Sequence, residues 1–361
     1  MKRRIVFYIA GLQRGGAERV LADLANFFVH NDYDVTVFTD CLLEKEYYLE
    51  PGIRREVVGY EPTGKRLTDM VKRITTIRKA YLRVKPDVVV SFIGKTNIRA
   101  VLASFGTGIP VIVSVRSGPQ REYYSAAMKI LAKCLFGFAA GTVFQTEGAK
   151  DWFGKRVQKK SVILANPLHD SVIRFRYDGA RADEIVAVGR LVEVKNYRLL
   201  LKAFAQIADK YPGTVLKICG DGPERENLLQ YVKELAIDSR VLFMGDCDNV
   251  PDAIYRSRLF VLSSDVEGMP NALLEAMSMG LAVISTDCPC GGPRAVIQNG
   301  QNGILVPVGD DAALAEAIDR VLSNPGLEES LGKNAHKIQE RLSPEKVNEQ
   351  WREYIESVMR Q

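Results

Sequence analysis

The chain has 361 residues, of which 47% are hydrophobic and 26% are charged, and this composition excludes an intrinsically disordered chain. The length is sufficient for two domains, each with its own core, and no apolar stretch is long enough to span a bilayer. Residues 1–165 contain 27 Lys and Arg against 15 Asp and Glu, a net charge of +12, whereas the rest contains 22 against 29, a net charge of −7. This asymmetry predicts that the basic half binds an anionic partner.

The six cysteines include only one closely spaced pair, Cys288 and Cys290. Because no histidine lies near this pair, it makes a poor zinc site, and we expect reduced thiols in a cytoplasmic protein. The basic N-terminus and the apolar run up to Ala10 are similar to a signal peptide. The run is too short, however, and it leads into a glycine pair without a cleavage site, which favours a buried first strand.

Short runs rich in Val and Ile alternate with amphipathic helical patterns such as residues 17–28. This alternation, with strands that are apolar on both faces, is typical of parallel α/β sheets. The predicted strands are residues 5–10, 35–39, 87–92, 111–115, 141–144, 161–164, 185–189, 215–219, 241–244, 259–263, 282–286 and 304–306.

The predicted elements form two series of about equal length that meet near residue 166. We therefore predict the α/β fold class, with two Rossmann-like, doubly wound parallel-sheet domains at residues 1–166 and 183–343. Residues 344–361 begin with a helix start signal and continue with an amphipathic pattern. Because this helix follows the last strand of the second domain, we expect it to pack back onto the first.

The clearest candidate for chemistry follows the predicted strand 259–263. There Glu267 and Glu275 bracket the start of a helix that we expect to begin near Asn271, which places Glu275 about one turn inside it. Backbone N–H groups near Asn271 and Ala272 would bind an anion, and a carboxylate can accept from two sugar hydroxyls. This combination describes a nucleotide-sugar site. The alternative, a plain loop with solvated glutamates, is disfavoured by the intervening Gly-Met-Pro-Asn sequence.

Basic residues follow the first predicted strand of the second half. Arg190 and Lys195 lie at its carboxyl end, where an open α/β sheet binds its ligand. Two cations there would hold a diphosphate and stabilise its charge as it leaves, although surface charges at a helix start are the alternative. Gly220 ends another strand in a tight turn that lets the backbone approach a ligand. The glycine pair before the first helix is compatible with a phosphate cradle and with a simple tight turn.

Three motifs together resemble the GT-B-fold retaining glycosyltransferases of family 4, which include bacterial enzymes that extend lipid-linked oligosaccharides. The motifs are Gly15-Gly16-x-Glu18, Val188-Gly-Arg-Leu191 with Lys195, and Glu267-x7-Glu275. The resemblance covers essentially the whole chain. It implies two Rossmann-like domains that face a central cleft, with the nucleotide sugar bound by the C-terminal domain and the acceptor by the N-terminal domain.

On matching positions, the resemblance implies that Arg190 and Lys195 grip the donor diphosphate. Glu275 would contact the nucleotide ribose and Glu267 the donor sugar, and Gly16 would lie close to the donor. The full predicted donor site consists of Gly15, Gly16, Gly189, Arg190, Lys195, Gly220, Met269, Pro270, Asn271, Ala272 and Glu275.

One position departs from the family's pattern. Many members carry a histidine near the reacting sugar, after the strand that we predict at 111–115, where this sequence has Arg116. Arginine stays protonated, so we expect Arg116 to act as an electrostatic contact, and we assign no general base. The family's front-side displacement, in which the leaving diphosphate assists deprotonation of the acceptor, needs charge stabilisation more than a nucleophile. The predicted catalytic residues are Glu267, Arg190, Lys195 and Arg116.

Two strings, Asp32-Tyr-Asp34 and Asp246-Cys-Asp248, match the D-x-D metal motif of transferases with the other common fold. One precedes a strand and the other lies in a loop after one, where acidic residues are common. The predicted basic pair already supplies the charge that a metal would bring. We therefore expect no metal, and no cofactor other than the nucleotide-sugar co-substrate.

Residues 65–85 contain eight Lys and Arg against one acid. Their apolar residues, from Leu67 through Met70 or Val71 to Ile77 and Tyr81, form one stripe, so we expect the cations to face largely outward. Such a helix offers a surface for anionic lipid or phosphate, with a solvated helix face as the alternative, and residues 121–138 offer a second candidate surface. The predicted acceptor or membrane contacts are Lys72, Arg73, Arg78, Lys79, Lys95, Arg116 and Arg121.

These features lead to the hypothesis of a polyprenyl-diphosphate-linked saccharide acceptor, used by a peripheral protein at the inner face of the cell membrane. We expect a UDP-linked hexose or N-acetylhexosamine as the donor, in preference to GDP-mannose. Nucleic acid is not an expected partner, because only Tyr81 supplies an aromatic ring within residues 65–85. Two alternatives remain: a nucleotide-sugar 2-epimerase with the same architecture, and a non-catalytic basic membrane-binding module. The oligomeric state is not predicted.

Overall fold

The structure is a computed structural model that describes residues 2–13, 15–59, 63–173, 177, 179–247 and 249–360, apart from the side chains of Arg66 and Leu67. The chain divides into two compact units. Unit 1 comprises Met1–Asn166 and Glu345–Gln361, and unit 2 comprises Pro167–Pro344. Among the described residues, no helix is both long enough and apolar enough to cross a membrane.

Unit 1 is built on seven strands: β1 (Arg4–Ile9), β2 (Asp34–Thr39), β3 (Arg54–Val57), β4 (Val88–Phe92), β5 (Val111–Ser114), β6 (Gly141–Phe144) and β7 (Ser161–Ile163). They form one sheet in the order β3-β2-β1-β4-β5-β6-β7, and all neighbours are parallel. The central strands are buried along almost their whole length, because helices cover both faces of the sheet.

The helices of the N-terminal segment are α1 (Gly16–His30), α2 (Arg66–Val84), α3 (Gly94–Ser104), α4 (Pro119–Glu122), α5 (Ala126–Leu135), α6 (Glu147–Asp151) and α7 (Lys155–Gln158). Helix α3 packs against both α2 and α5. The core between these helices and the sheet contains Tyr8, Phe38, Tyr81 and Tyr123, all fully buried.

Unit 2 is built on six strands: β8 (Ala182–Val188), β9 (Val215–Cys219), β10 (Val241–Gly245), β11 (Ser257–Leu262), β12 (Ala282–Thr286) and β13 (Ile304–Val306). They form a second parallel sheet in the order β10-β9-β8-β11-β12-β13. Its helices are α8 (Asp170–Ile173), α9 (Tyr197–Ile207), α10 (Arg225–Glu234), α11 (Val250–Ile254), α12 (Asn271–Ser278), α13 (Asp311–Leu322), α14 (Pro325–His336) and α15 (Ile338–Leu342).

The last helix, α16 (Pro344–Met359), packs within unit 1. Its Trp351 is fully buried and stacks on Phe92 of β4, with 5.7 Å between the ring centroids. Its Tyr354 hydroxyl accepts from the backbone N–H of Thr142 in β6 at 2.9 Å. Since an aromatic stack and a hydrogen bond to the sheet both hold it, α16 is an integral part of this unit.

Every predicted strand is present, with ends that differ by up to three residues, and helix α1 extends two residues beyond the predicted 17–28 at its C-terminal end. The strand that the sequence analysis missed is β3. Its sequence, Arg-Arg-Glu-Val, is charged and lies at the edge of the sheet. The strand is held by parallel pairing to β2 and by an ion pair in which Arg54 donates to Asp34 at 2.8 Å. An edge strand does not need the apolar pattern on which the prediction relied.

Candidate functional site

The carboxyl ends of β8 and β11 are adjacent at the point where the strand order of unit 2 reverses. In open α/β sheets the connections on the two sides of such a point leave towards opposite faces, and the crevice between them binds ligands. The loop after β8 contains Gly189 to Lys195, and the loop after β11 contains Ser263 to Pro270. The predicted donor residues of unit 2 lie mainly on these loops and on α12, which follows the second loop.

The turns after β8 and β9 pack backbone against backbone. A Cβ atom at Gly220 would lie 2.1 Å from the carbonyl oxygen of Gly189, and Gly220 has φ +143°. At Gly222 a Cβ would lie 2.4 Å from the carbonyl oxygen of Leu191. These glycines are therefore required by close approach as well as by backbone conformation. The tight turn predicted at Gly220 is confirmed.

Two of the three predicted catalytic residues of unit 2, Lys195 and Glu267, are in direct contact. Lys195 Nζ lies 2.5 Å from Glu267 Oε1, and the Ser264 hydroxyl donates to the same oxygen at 2.6 Å. The two side chains are 24% and 12% exposed. A partly buried cation and carboxylate are thus held together beyond the carboxyl ends of β8 and β11, where open α/β sheets bind ligands.

Further hydrogen bonds join the segments that follow β8 and β11. The Asp265 N–H donates to the carbonyl oxygen of Val194 at 2.9 Å. The Ser263 hydroxyl donates to the carbonyl oxygen of Lys195 at 3.0 Å, and Asn196 Nδ2 donates to Asp265 Oδ1 at 2.8 Å. The position of Lys195 relative to Glu267 is therefore fixed by the loops as well as by the ion pair.

Helix α12 begins at Asn271, as predicted, and has no acidic residue in its first turn. Its N-terminus therefore keeps the positive end of the helix dipole available to an anion. Glu275 lies on this helix and is 5% exposed, so that only a small part of the carboxylate is accessible to a ligand. Met269 is 7% exposed, and Pro270 is the residue that precedes the helix.

The loop that follows β12 supports the Glu267 loop from behind. Both the Thr286 hydroxyl and the Cys288 thiol donate to the carbonyl oxygen of Ser264, at 2.5 Å and 3.1 Å. A Cβ atom at Gly292 would lie only 1.5 Å from the carbonyl oxygen of Gly268. The sequence analysis missed this supporting loop, because glycine and threonine at a strand end carry no specific signal.

Arg190 is exposed, and its guanidinium group makes no hydrogen bond or ion pair to another described residue. It differs in this respect from Lys195, and the two cations do not act as an equivalent pair in the structure.

Asp246 of the second D-x-D string is described, whereas Asp248 lies outside the described residues. In the first string, Asp34 is held by Arg54 in the β2–β3 contact.

In unit 1 the strand order reverses between β1 and β4. Helix α1, which follows β1, begins at Gly16, with Gly15 as its N-cap residue and Glu18 in its first turn. A Cβ atom at Gly15 would lie 2.2 Å from Glu18 Oε2. A side chain at this position would displace the end of the Glu18 side chain, and whether the glycine pair cradles a phosphate stays a prediction.

Arg116 follows β5 at the same edge of the sheet and is 7% exposed. Its guanidinium group lies 5.2 Å from the centroid of the Phe92 ring, and its Nη2 donates to Asn166 Oδ1. Burial lowers the pKa of Arg116 to about 9, which leaves the side chain protonated at neutral pH, as expected. Glu122, Gln145 and Asn166 surround this position, and sequence reasoning singled out none of them.

The expectation that the cations of α2 largely face outward is wrong for two of them. Arg73 is half-buried and donates to Asp40 Oδ2 at 3.4 Å, and Arg99 of α3 donates to the same oxygen at 2.7 Å. Arg78 donates to the carbonyl oxygens of Ala103 and Phe105 at the end of α3. The hydrogen bonds of Arg73 and Arg78 therefore hold α2 against the rest of unit 1.

Lys72 and Lys79 are exposed, as predicted. The apolar stripe of α2 is also only partly buried, because Met70 and Val71 remain 48% and 56% exposed whereas Ile77 and Tyr81 are buried. Leu67 lies outside the described side chains. The stripe thus packs on the sheet only along the C-terminal part of the helix.

The second predicted surface forms α4 and α5. We define the α5 patch as Tyr124, Ile130, Leu131 and Phe138, which are 65%, 64%, 41% and 57% exposed. Lys95 lies over the Tyr124 ring at 5.3 Å and Lys133 over the Trp152 ring at 4.2 Å, while Arg121 is exposed nearby in sequence. Exposed apolar side chains and cations are therefore interspersed along residues 121–138.

Comparison with known proteins matches both units. Residues 14–172 match the family described as Glycosyltransferase Family 4, and residues 179–338 match the family described as Glycosyl transferases group 1. The solved structure of HepE from Anabaena with UDP and glucose superposes with a TM-score of 0.84 at 20% identity, covering 98% of this chain and 99% of that one. Sucrose-phosphate synthase from Thermosynechococcus elongatus superposes with a TM-score of 0.82 at 18% identity, covering 99% of each chain.

Among curated relatives, a Campylobacter jejuni enzyme is 29% identical over 98% of this chain and 99% of its own length. It is named GalNAc-alpha-(1->4)-GalNAc-alpha-(1->3)-diNAcBac-PP-undecaprenol alpha-1,4-N-acetyl-D-galactosaminyltransferase. The amylovoran biosynthesis glycosyltransferase AmsD of Erwinia amylovora is 23% identical over 98% of this chain and 99% of its own length.

Two parallel-sheet Rossmann-like units with these matches define a glycosyltransferase of the GT-B fold. Within that class, the chain belongs to the group 1 glycosyltransferases, family 4.

Proposed function

We propose that this chain is a retaining glycosyltransferase of bacterial glycan assembly. It transfers a hexose or an N-acetylhexosamine from a UDP-sugar to a polyprenyl-diphosphate-linked saccharide. The observation that carries this proposal is the contact between Lys195 and Glu267 beside the N-terminus of α12, at the reversal point of the unit 2 sheet. A cation and helix N–H groups suit a diphosphate, and carboxylates suit sugar hydroxyls.

A UDP-linked donor is supported by HepE of Anabaena, whose solved structures contain UDP and UDP-glucose. An N-acetylhexosamine is supported by the name of the Campylobacter jejuni relative. In the proposed arrangement Arg190 and Lys195 bind the diphosphate, Glu275 accepts from the ribose hydroxyls and Glu267 accepts from the donor sugar.

A lipid-linked acceptor is supported by two observations of different kinds. The Campylobacter jejuni relative is named for a saccharide attached to PP-undecaprenol, and residues 1–165 carry a net charge of +12. Positive charge concentrated in one unit raises the local concentration of an anionic substrate. We assign this acceptor to unit 1, with Lys72, Lys79 and Lys95 as its exposed cations.

The proposed reaction is a front-side displacement at the anomeric carbon. The acceptor oxygen bonds to that carbon as the bond to the diphosphate oxygen breaks, and the acceptor proton passes to the departing diphosphate. The protein's part is to stabilise the negative charge that builds on the leaving group, a task for Arg190 and Lys195. We propose that these cations serve in place of a metal ion and that no further cofactor takes part.

We propose that the protein binds the inner face of the cell membrane through the α5 patch and the exposed lysines of α2. Exposed aromatic and aliphatic side chains insert at the headgroup level, and neighbouring cations attract anionic lipids. Lys133 and the α5 patch provide both kinds of group on one short helix and its flanks.

A donor screen tests the proposed reaction. UDP- and GDP-sugars are incubated with the purified protein, with and without an extract of lipid-linked saccharides, and the release of nucleoside diphosphate is measured. We expect release only with a UDP-hexose or UDP-N-acetylhexosamine together with the acceptor extract. A new nucleotide sugar formed from the donor alone would indicate an epimerase instead, and NMR of the product's anomeric proton tests retention.

Co-sedimentation with vesicles tests the membrane assignment. We expect the double variant I130S/L131S, and separately K72E/K79E, to bind vesicles that contain about one-third anionic lipid at least ~10-fold more weakly than the wild type. The matched control is L242S/M244S, which removes two exposed apolar residues of unit 2. Equal binding by all four proteins would contradict the assignment, while the donor screen would stand.

A further inference from the structure

The most unusual polar group in unit 1 is the guanidinium of Arg116. Two of its three nitrogen atoms, Nε and Nη1, are buried without a hydrogen-bond partner among the described residues. The third, Nη2, donates to Asn166 Oδ1. An unpartnered N–H group of a buried cation costs the protein stability, so a guanidinium left in this state requires an explanation.

The Arg116 side chain is held in place from two sides. The guanidinium lies over the Phe92 ring, and Trp351 of α16 stacks on the same ring. Asn166 Oδ1, which accepts from Arg116, also accepts from Gln145 Nε2 at 2.6 Å. Residues that follow β5, β6 and β7 thus form one hydrogen-bonded group that holds the guanidinium in place.

The nearest carboxylate does not neutralise the guanidinium through a hydrogen bond. Both oxygens of Glu122 are occupied by other donors: the N–H groups of Gly94, Arg116 and Ser117, at 2.8 to 3.0 Å, and the Tyr123 hydroxyl, at 3.1 Å. Glu122 therefore accepts hydrogen bonds from the N-terminus of α3 and from the loop after β5. Within the part of the chain that the structure describes, the Arg116 side chain has no hydrogen-bonded counter-ion.

Backbone strain marks the same place. Ile93 lies between β4 and α3, one residue before the Gly94 N–H that Glu122 accepts from, and has φ +67°. A β-branched residue rarely adopts this left-handed conformation, and strain of this kind persists where the surrounding structure enforces it, most often at ligand sites.

We propose that Arg116 is an oxyanion-binding residue for a substrate of the transfer reaction, with Nε and Nη1 as the donors. This inference rests on the proposed function and adds a substrate class to it: one substrate presents a phosphate or a carboxylate group to unit 1. Nε–H points to the Nη2 side of the guanidinium whereas Nη1 lies on the Cδ side, so the two nitrogens donate separate charge-assisted hydrogen bonds, which oxygens of a phosphate or a carboxylate can accept. Because both nitrogens lie below the surface, the residues 116–118 loop must shift slightly to admit the ligand.

Two sources of the oxyanion fit this chemistry, a diphosphate and the carboxylate of an acidic sugar. The first source is tested by comparing the transfer kinetics of acceptor saccharides with and without a diphosphate. Inhibition of transfer by UDP-glucuronate, compared with inhibition by UDP-glucose, tests the second source, because only UDP-glucuronate carries a sugar carboxylate. The source is identified by the pair in which R116M raises the KM or inhibition constant of the member that carries the diphosphate or the sugar carboxylate in question and leaves that of the other member within twofold of the wild type.

Thermal unfolding of R116M tests the proposal against a purely structural role. Asn166 retains Gln145 and Glu122 retains its backbone donors in this variant, so we expect an unchanged or higher Tm. The matched control is R181M, because Arg181 donates to the carbonyl oxygens of Tyr255, Ser257, Met279 and Gly280, and we expect its Tm to fall. A fall in the Tm of R116M as large as that of R181M would overturn the proposal.

Kinetics supply the second readout. We expect R116M to raise KM for the anionic substrate roughly tenfold or more, as removal of charge-assisted hydrogen bonds does, and R116K to lie between R116M and the wild type. A KM within twofold of the wild type for every substrate overturns the inference and leaves the proposed transferase intact.

A direct binding measurement separates failure of this inference from failure of the proposed function. In the R190M/K195M protein the predicted diphosphate contacts of unit 2 are removed. We expect millimolar inorganic pyrophosphate or glucuronate still to raise its Tm, and the added change R116M to abolish that rise. If the rise persists in the triple variant, the oxyanion binds elsewhere and the proposal is wrong, even if no glycosyl transfer is ever observed.

Discussion

Lys195 and Glu267 are joined in the structure, with 2.5 Å between Nζ and Oε1. Sequence motifs had assigned them separate roles, the lysine to the diphosphate and the glutamate to the sugar. The contact means that neither group meets a ligand as an isolated charge. A diphosphate that approaches Lys195 also approaches a carboxylate, so that ligand binding must redistribute the hydrogen bonds of both side chains.

The first prediction concerns this pair. K195M leaves the Glu267 carboxylate with Ser264 as its donor but removes the cation, and we expect kcat for sugar transfer to fall about 10²- to 10³-fold, as when one charge-stabilising donor is lost. E267Q should lower kcat while nucleoside diphosphate binding, measured by calorimetry, is retained. The control is E193Q, an exposed glutamate two residues before Lys195. Unchanged turnover in K195M would contradict the assigned role.

The second prediction concerns the support behind Glu267. The G292A methyl group would meet the carbonyl oxygen of Gly268 at 1.5 Å, so the loop must move, and a shift of about 1 Å near reacting groups can cost ~100-fold in rate. We expect at least this loss in transfer assays. G326A serves as control because its methyl group would lie 3.5 Å from Asn324 Oδ1, an ordinary contact. Equal losses in both variants would indicate a general effect on unit 2.

The third prediction concerns Asp40, which accepts from the Tyr8 hydroxyl at 2.9 Å and from both Arg73 and Arg99. D40N leaves two neighbouring guanidinium groups without their shared carboxylate. We expect a loss of about 1–3 kcal/mol in the free energy of unfolding. Urea denaturation measures it. The more exposed pair of Asp34 and Arg54 gives the comparison, and D34N should cost less than about 1 kcal/mol.

The fourth prediction concerns pH. Hydrogen bonding to Arg55 lowers the pKa of Glu46, so the folded state prefers the ionised form more strongly than the unfolded state does. The resulting stability is complete above the unfolded pKa of about 4.3 and is lost as the pH falls through the lower, folded value. We expect the wild type to exceed E46Q in unfolding free energy at pH 7 and the difference to disappear in acid. A difference that is independent of pH would refute this origin.

The fifth prediction concerns the thiols. Burial raises the pKa values of Cys219 and Cys288 to about 12, which leaves almost no thiolate at pH 8, whereas Cys41 and Cys134 are exposed. We expect iodoacetamide to modify the exposed pair first, with the buried pair reacting only after unfolding. Peptide mass mapping after short reaction times distinguishes the sites.

The architecture was predictable because parallel α/β sheets bury strands on both faces. Each such strand produces a continuous apolar run in the sequence, and all but one of the strands in the described ranges were found in this way. The exception, β3, is an edge strand of charged residues that depends on pairing with β2 and on Asp34. Its existence follows from tertiary contacts that local sequence does not encode.

The start of α12 was predictable from the sequence, but the contacts of the candidate site were not. Helix α12 begins at Asn271, as its sequence indicated, whereas the pairing of Lys195 with Glu267 links positions 72 residues apart. The same limitation applies to Arg73, which was predicted to face outward, opposite the apolar stripe of its helix, as an acceptor or membrane contact. Its partner, Asp40, is 33 residues away, and only the fold brings the two together.

The return of α16 to unit 1 has a consequence for biosynthesis. A ribosome completes Pro167–Pro344 before it reaches Trp351. The sequence of unit 2 is therefore complete before the sheet around Phe92 can receive α16, which is synthesised after it. The first unit to be synthesised is thus the last to be finished, and a nascent chain arrested before α16 would expose the Phe92 surface to chaperones.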